Sequence, residues 1–100
     1  MINDIFESMP EKYQAGKVDE KITYYFSIDD NRKTVILEPD KCTVKNGKIV
    51  ENADCVCKTS EEFFLKVWDE GYTPGLVDFL SGKIKSNNPE ALKKFIGAFR

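Results

Sequence analysis

One hundred residues, 41% apolar and 32% charged, have the composition of a folded globular domain rather than of a disordered or membrane-spanning chain. Fifteen lysines and arginines against seventeen acids leave a net charge of −2, which excludes a general nucleic-acid binder. Histidine is absent, and with it the usual general base and every His-dependent catalytic triad.

In chain order, Asn3 or Asp4 caps a short first helix over 3–9, where Ile5, Phe6 and Met9 share a face. Pro10 is expected to interrupt it, and Gly16 closes the polar stretch that follows. Alternation then sets in. Residues 22–28 place Ile22, Tyr24, Phe26 and Ile28 on one side of a strand. Asp29-Asp30-Asn31 turns the chain into a second strand over 33–38, with Val35 and Leu37 on one side. Pro39-Asp40 turns it again, and 41–45 continues with Cys42 and Val44. Asn46-Gly47 is a strong hairpin signal, because both central positions of a type I′ turn need positive φ. The next strand, 53–58, carries Cys55 and Cys57 on one face and Val56 on the other. Such short turns predict antiparallel neighbours.

The period changes after this. Thr59-Ser60-Glu61-Glu62 reads as a capping box with Thr59 as the cap, opening a helix to about Glu70. Phe63, Phe64, Val67 and Trp68 form its apolar stripe, and Gly71 suits its C-terminal cap. Pro74 can start a second short helix carrying Leu76, Val77, Phe79 and Leu80, ended by Gly82. A short strand at 83–86 precedes the last helix, 89–99, which Asn88 caps and Pro89 begins. Its apolar stripe is Leu92, Phe95, Ile96 and Phe99. The whole, residues 1–100, reads as one α+β domain.

Little classical chemistry is present. There is no Gly-x-Ser-x-Gly elbow and no phosphate-cradling glycine loop. Three cysteines make an incomplete disulfide framework, and a three-thiolate set lacks the fourth ligand that zinc usually takes. Cys42, Cys55 and Cys57 are therefore expected to be inert core residues, with redox or metal chemistry the lesser alternative. Charge is uneven: Lys83, Lys85, Lys93, Lys94 and Arg100 face only Glu90 in the last eighteen residues. That excess either solvates a helix face or draws in an anionic headgroup. No run is long enough to span a bilayer, and the start lacks the basic and apolar stretches of a signal peptide. A cytoplasmic location is the expectation.

Several stretches resemble the sterol carrier protein type-two domain family. Phe79-Leu80-Ser81-Gly82-Lys83-Ile84-Lys85 is similar to the family's Phe-Met-Ser-Gly-Lys-Leu-Lys stretch, and is the most specific match. Ala53-Asp54, an alternating strand and then Thr59-Ser60-Glu61-Glu62-Phe63-Phe64 look like the family's passage from strand to helix. Met9-Pro10-Glu11-Lys12-Tyr13 resembles a Leu-Pro-Glu-Arg-Phe element, and Asn46-Gly47-Lys48 sits where a glycine hairpin occurs. Asp40, Pro74 and Ser86-Asn87-Asn88 depart from the pattern.

The resemblance implies a five-stranded, mostly antiparallel sheet covered by helices, with an apolar tunnel between the sheet and the C-terminal helices. It implies low-selectivity binding, and transfer within the cell, of fatty acids, acyl-CoA esters, sterols or phospholipids; the missing catalytic and metal motifs add the expectation of no catalysis, no cofactor and no metal. On that basis the tunnel wall is expected to include Phe26, Leu37, Phe64, Val67, Trp68 and Leu76. Phe79, Leu80, Ile84, Phe95 and Phe99 complete it, with the last helix as lid. Lys83, Lys85 or Lys94 is placed to meet a headgroup. The expected partners are a lipid and, transiently, a membrane, with the protein a monomer or weak dimer. The competing reading is an interaction module whose apolar groove takes a peptide or a second copy.

Overall fold

Every second residue of Ile22–Ile28 is large and apolar, and the segment forms a strand that buries Ile22, Tyr24, Phe26 and Ile28 on one side. This strand, β1, is the middle of a five-stranded sheet in the computed structural model, which describes residues 2–99. The others are β2 (Asn31–Glu38), β3 (Lys41–Asn46), β4 (Cys55–Thr59) and β5 (Ile84–Ser86), in the order β3-β2-β1-β4-β5. The β1–β2, β2–β3 and β4–β5 pairs are antiparallel, and β1–β4 is parallel. Helices α1 (Ile2–Lys12), α2 (Glu61–Glu70), α3 (Leu76–Leu80) and α4 (Pro89–Ala98) complete the α+β architecture expected from the sequence.

Register fixes which side chains meet the helices. Ile22 stands opposite Leu37 and Tyr24 opposite Val35, so the buried face of β1 continues into β2 and then to Cys42 and Val44 of β3. On the other side of β1, Tyr24 and Phe26 lie beside Cys55 and Cys57. Lys33, opposite Phe26, is the one buried cation among the described residues, and its ammonium donates to Asn46 Oδ1. From α1, Ile2, Phe6 and Met9 pack inward. Phe6 meets Phe26 edge-on at 5.6 Å and stacks on Phe64 at 5.4 Å. The buried Tyr24 hydroxyl donates to the Ala91 carbonyl at 2.6 Å, tying the sheet centre to α4.

Three local expectations are corrected first. Pro10 does not end α1, which runs on to Lys12. Pro10 forfeits the bond its N–H would have given to Phe6 and crowds the Phe6 carbonyl, two residues from the helix end, and burial of Ile2, Phe6 and Met9 outweighs that cost. Ser60, not Thr59, caps α2, its Oγ accepting from the Phe63 N–H at 3.1 Å. Thr59 is the last residue of β4 and donates to the Lys83 carbonyl instead. The third short helix starts at Leu76 rather than at Pro74.

Asn46-Gly47 does not make a hairpin. Gly47 has the expected positive φ of 78°, but its N–H donates to Arg32 and its carbonyl accepts from Thr34 Oγ1, so the chain carries on beside β2. The Ile49 N–H also reaches Thr34 Oγ1, and Lys48 lies 5.5 Å over the Tyr25 ring. Thr34 and Tyr25 point away from the helices, so this loop crosses the outer face of the sheet and delivers β4 to the far side of β1, parallel to it. Thr34 wins because, once the loop covers it, its hydroxyl needs partners.

Candidate functional site

Two helical stripes converge on one void. Phe63, Phe64, Val67 and Trp68 follow the spacing of one helix face on α2, and Leu92, Phe95, Ile96 and Phe99 do so on and just after α4. Between them lies a partly open cleft of about 240 Å³. Its floor is the sheet, through Phe26, Cys57, Thr59 and Ile84, and Lys12 and Pro74 complete the lining. Both helices are fixed at their ends by ordinary caps. The Asn88 side chain accepts from Ala91 N–H at 3.2 Å, and Gly71, at φ 72°, lets its N–H return to the Lys66 carbonyl.

The wall is aromatic and nearly uncharged. Trp68 stacks on Phe64 with planes 10° apart and meets Phe99 at 5.3 Å. Phe95 contacts Phe26 at 4.8 Å and Phe99 at 5.1 Å. The Thr59 hydroxyl is satisfied by Lys83 O at 2.7 Å, so it offers the cleft no unpaired donor. Burial pushes the Cys57 thiol up to about 12, which keeps it neutral at any physiological pH. Lys12 is the cation on the lining.

Beside the cleft, the segment between α2 and α3 is pinned by a carboxylate. Asp78, buried, accepts from the Tyr72 hydroxyl at 2.5 Å and the Gly75 N–H at 2.8 Å. Those two hydrogen bonds hold its carboxyl below the usual range, and the same contact raises the Tyr72 phenol. Pro74, between the two, is thereby held against the cleft.

Of the residues singled out from the sequence, Phe26, Phe64, Val67, Trp68, Ile84, Phe95 and Phe99 come together on this lining. Leu37 is fully buried opposite Ile22 and Cys42, away from the cleft. Phe79 is half-buried and packs against the core without reaching the lining. Leu76 and Leu80 point outward, and Lys83 and Lys85 are exposed beyond α3. Lys94 lies elsewhere, in a polar depression with Glu20, Lys21, Asp54 and Glu90.

Phe63, Leu92 and Ile96 line the cleft as well, and each sits in a stripe visible in the sequence. Helical spacing was their signal. Lys12 gave none, since nothing in the sequence brings the end of α1 to α2 and α4. The last helix, seen as a lid, is held to the sheet through Tyr24 and Phe95. Among the described residues, no cluster of acids and cysteines could hold a metal ion, and no helix is long and apolar enough to cross a membrane.

Neither a protein-family model nor a curated protein matches the sequence. Solved structures do match the fold. The sec-alkylsulfatase Pisa1 from Pseudomonas sp. superposes with a TM-score of 0.85 at 16% identity, over 99% of this chain but only 16% of the sulfatase. This chain thus spans about a sixth of that protein's length. Sterol Carrier Protein 2 from Yarrowia lipolytica, in its apo form, superposes at 0.62 with 17% identity, covering 95% of this chain and 88% of that one. The UbiJ-SCP2 ubiquinone synthesis protein gives 0.60 at 9% identity, over 94% and 73%. The chain has the sterol carrier protein 2 fold, the one its sequence stretches resemble.

Proposed function

We propose that this chain is a non-catalytic carrier module that takes an apolar, lipid-like molecule into the cleft between α2, α4 and the sheet. One observation carries the reading: the cleft is lined by aromatic and aliphatic side chains, with a lone cation, Lys12, among its lining residues. The fold shared with the Yarrowia sterol carrier protein supports it.

Each methylene moved from water into such a wall gains roughly 0.8 kcal/mol, about fourfold in affinity. About ten of them offset the cost of association and leave useful binding without any polar contact. Shape and length then decide what binds, which favours a broad ligand range. A cavity of about 150 Å³ holds benzene, so 240 Å³ accommodates a segment of an acyl chain or ring system. A longer guest extends toward solvent or parts the helices. An acidic end group meets Lys12. Cys57, neutral, and Thr59, already bonded, perform no chemistry on the guest.

Displacement of a fluorescent fatty acid by saturated fatty acids of increasing length tests this. Affinity is expected to rise about fourfold per methylene and then level off once the cleft is filled. Ile96→Trp, which fills the cleft from a half-buried position, is expected to weaken binding at least about tenfold while the fold melts as before. Equal affinity in this variant, or no length dependence, would reject the cleft as the site.

A further inference from the structure

We propose that α3 and the first residues of β5 form a docking surface for an anionic lipid bilayer. Leu76, Val77 and Leu80 are 74%, 75% and 77% exposed. Their spacing puts them on one side of α3, while Asp78 and Phe79 turn inward. Three neighbouring large aliphatic side chains left in water mark an interaction site rather than ordinary surface. Nor does the fold need them. α3 is held by the Asp78 carboxylate, which takes the Gly75 N–H and the Tyr72 hydroxyl, and by the inward Phe79.

The charge beside this patch says what covers it. Lys83 and Lys85 follow α3 immediately and are exposed. The Lys85 stem lies back over Gly82, 3.9 Å from where a Cβ would stand, close to the end of α3. In the sheet register Lys58 is directly opposite Lys85. Like charges across a strand pair lower stability, and among the described residues neither lysine has an ion-pair partner. Both ammonium groups are therefore open to an external anion. An aliphatic tip with lysines at its rim matches a bilayer surface with anionic headgroups. A second copy is a poorer match, since three side chains fall far short of the roughly 1,000 Å² a specific interface buries.

Pro74 and Ile84, on either side of this corner, line the cleft. Docking there sets the cleft beside the membrane, so a lipid exchanges without crossing bulk water. That consequence rests on the carrier reading above; the docking itself does not.

Flotation with vesicles tests the surface. Wild type is expected to bind phosphatidylcholine vesicles containing about 30% phosphatidylserine at least about tenfold more tightly than pure phosphatidylcholine vesicles. Leu76→Ser with Leu80→Ser is expected to lose about tenfold on the mixed vesicles. Lys83→Gln with Lys85→Gln is expected to lose most of the preference for phosphatidylserine. Both double variants replace exposed residues, so melting temperature should stay within a few degrees of wild type and fatty-acid affinity within about twofold. Vesicle binding that neither variant weakens overturns the proposal, as does a wild-type dimer in light scattering that the leucine variant dissociates. Failure of fatty-acid binding with vesicle binding intact would count against the carrier reading and leave this surface standing.

Discussion

Replacing Phe6 with alanine is expected to lower the unfolding free energy by about 3–5 kcal/mol. Phe6 is 1% exposed and sits between the Phe26 edge and the Phe64 face. It lies behind Phe26 and Phe64, which line the cleft, so truncation removes the packing that backs two wall residues. It is also the middle of the three residues that hold α1 to the sheet. A domain of this size has about 5–15 kcal/mol in total, so the variant keeps only part of its stability. At about 4–8 °C per kcal/mol, its melting temperature should fall by well over 10 °C. Leu80→Ala, on exposed α3, should change stability by less than about 0.5 kcal/mol. Denaturant titration of both variants checks the contrast. A Phe6 variant within about 1 kcal/mol of wild type would mean that α1 is not part of the packed core.

The cysteines are expected to be almost silent in the native state. Cys42, Cys55 and Cys57 are free and buried on the helix-covered side of the sheet. Burial raises the Cys42 thiol from 9.0 to about 11 and the Cys57 thiol from 9.0 to about 12. Burial raises Cys55 too, with the Ser86 hydroxyl, 3.4 Å from its sulfur, pulling the other way. The thiolate is the reactive form, so at pH 8 Cys57 offers about a thousandfold less of it than an ordinary thiol, and Cys42 about a hundredfold less. A disulfide reagent should titrate all three at once in guanidinium and only after opening in the native protein. Rapid native labelling of Cys57 would contradict its burial. The linkage has a definite sign. Native thiols hold their protons at pH values where unfolded ones have lost them, so the native state binds more protons and stability falls as pH rises. The stabilisation from neutral thiols is complete below about 9 and is lost progressively toward about 12. Equilibrium unfolding between pH 8 and 11 should show this decline.

Much of this could be read from the residues. The alternation at 22–28 marked the central strand, and the stripes at 63, 64, 67, 68 and 92, 95, 96, 99 marked the two helices that face the cleft. What the residues did not disclose was long-range. Asn46-Gly47 carries every local mark of a hairpin, but the partner of Gly47 is decided by Thr34, thirteen positions away. Together with the Gly47 N–H to Arg32 and the Ile49 N–H to Thr34, that contact carries the chain across the sheet to a parallel pair instead of back in a meander. Leu76 and Leu80 are expected on the tunnel wall from the family resemblance, but they face solvent. Asp78 turns inward in their place, and its bonds to Tyr72 and Gly75 rotate them into solvent. Lys12 joined the lining only through the packing of α1.

Trp68 is the only tryptophan in the chain, and it lines the cleft. Titrating the protein with a bromine-substituted fatty acid, whose heavy atom quenches indole only at close range, therefore reports on the cleft alone. Emission is expected to fall and to saturate at one equivalent, with an unbrominated fatty acid of equal length restoring it. Unchanged emission across a titration in which the fatty acid demonstrably binds would place the guest elsewhere and contradict the carrier reading.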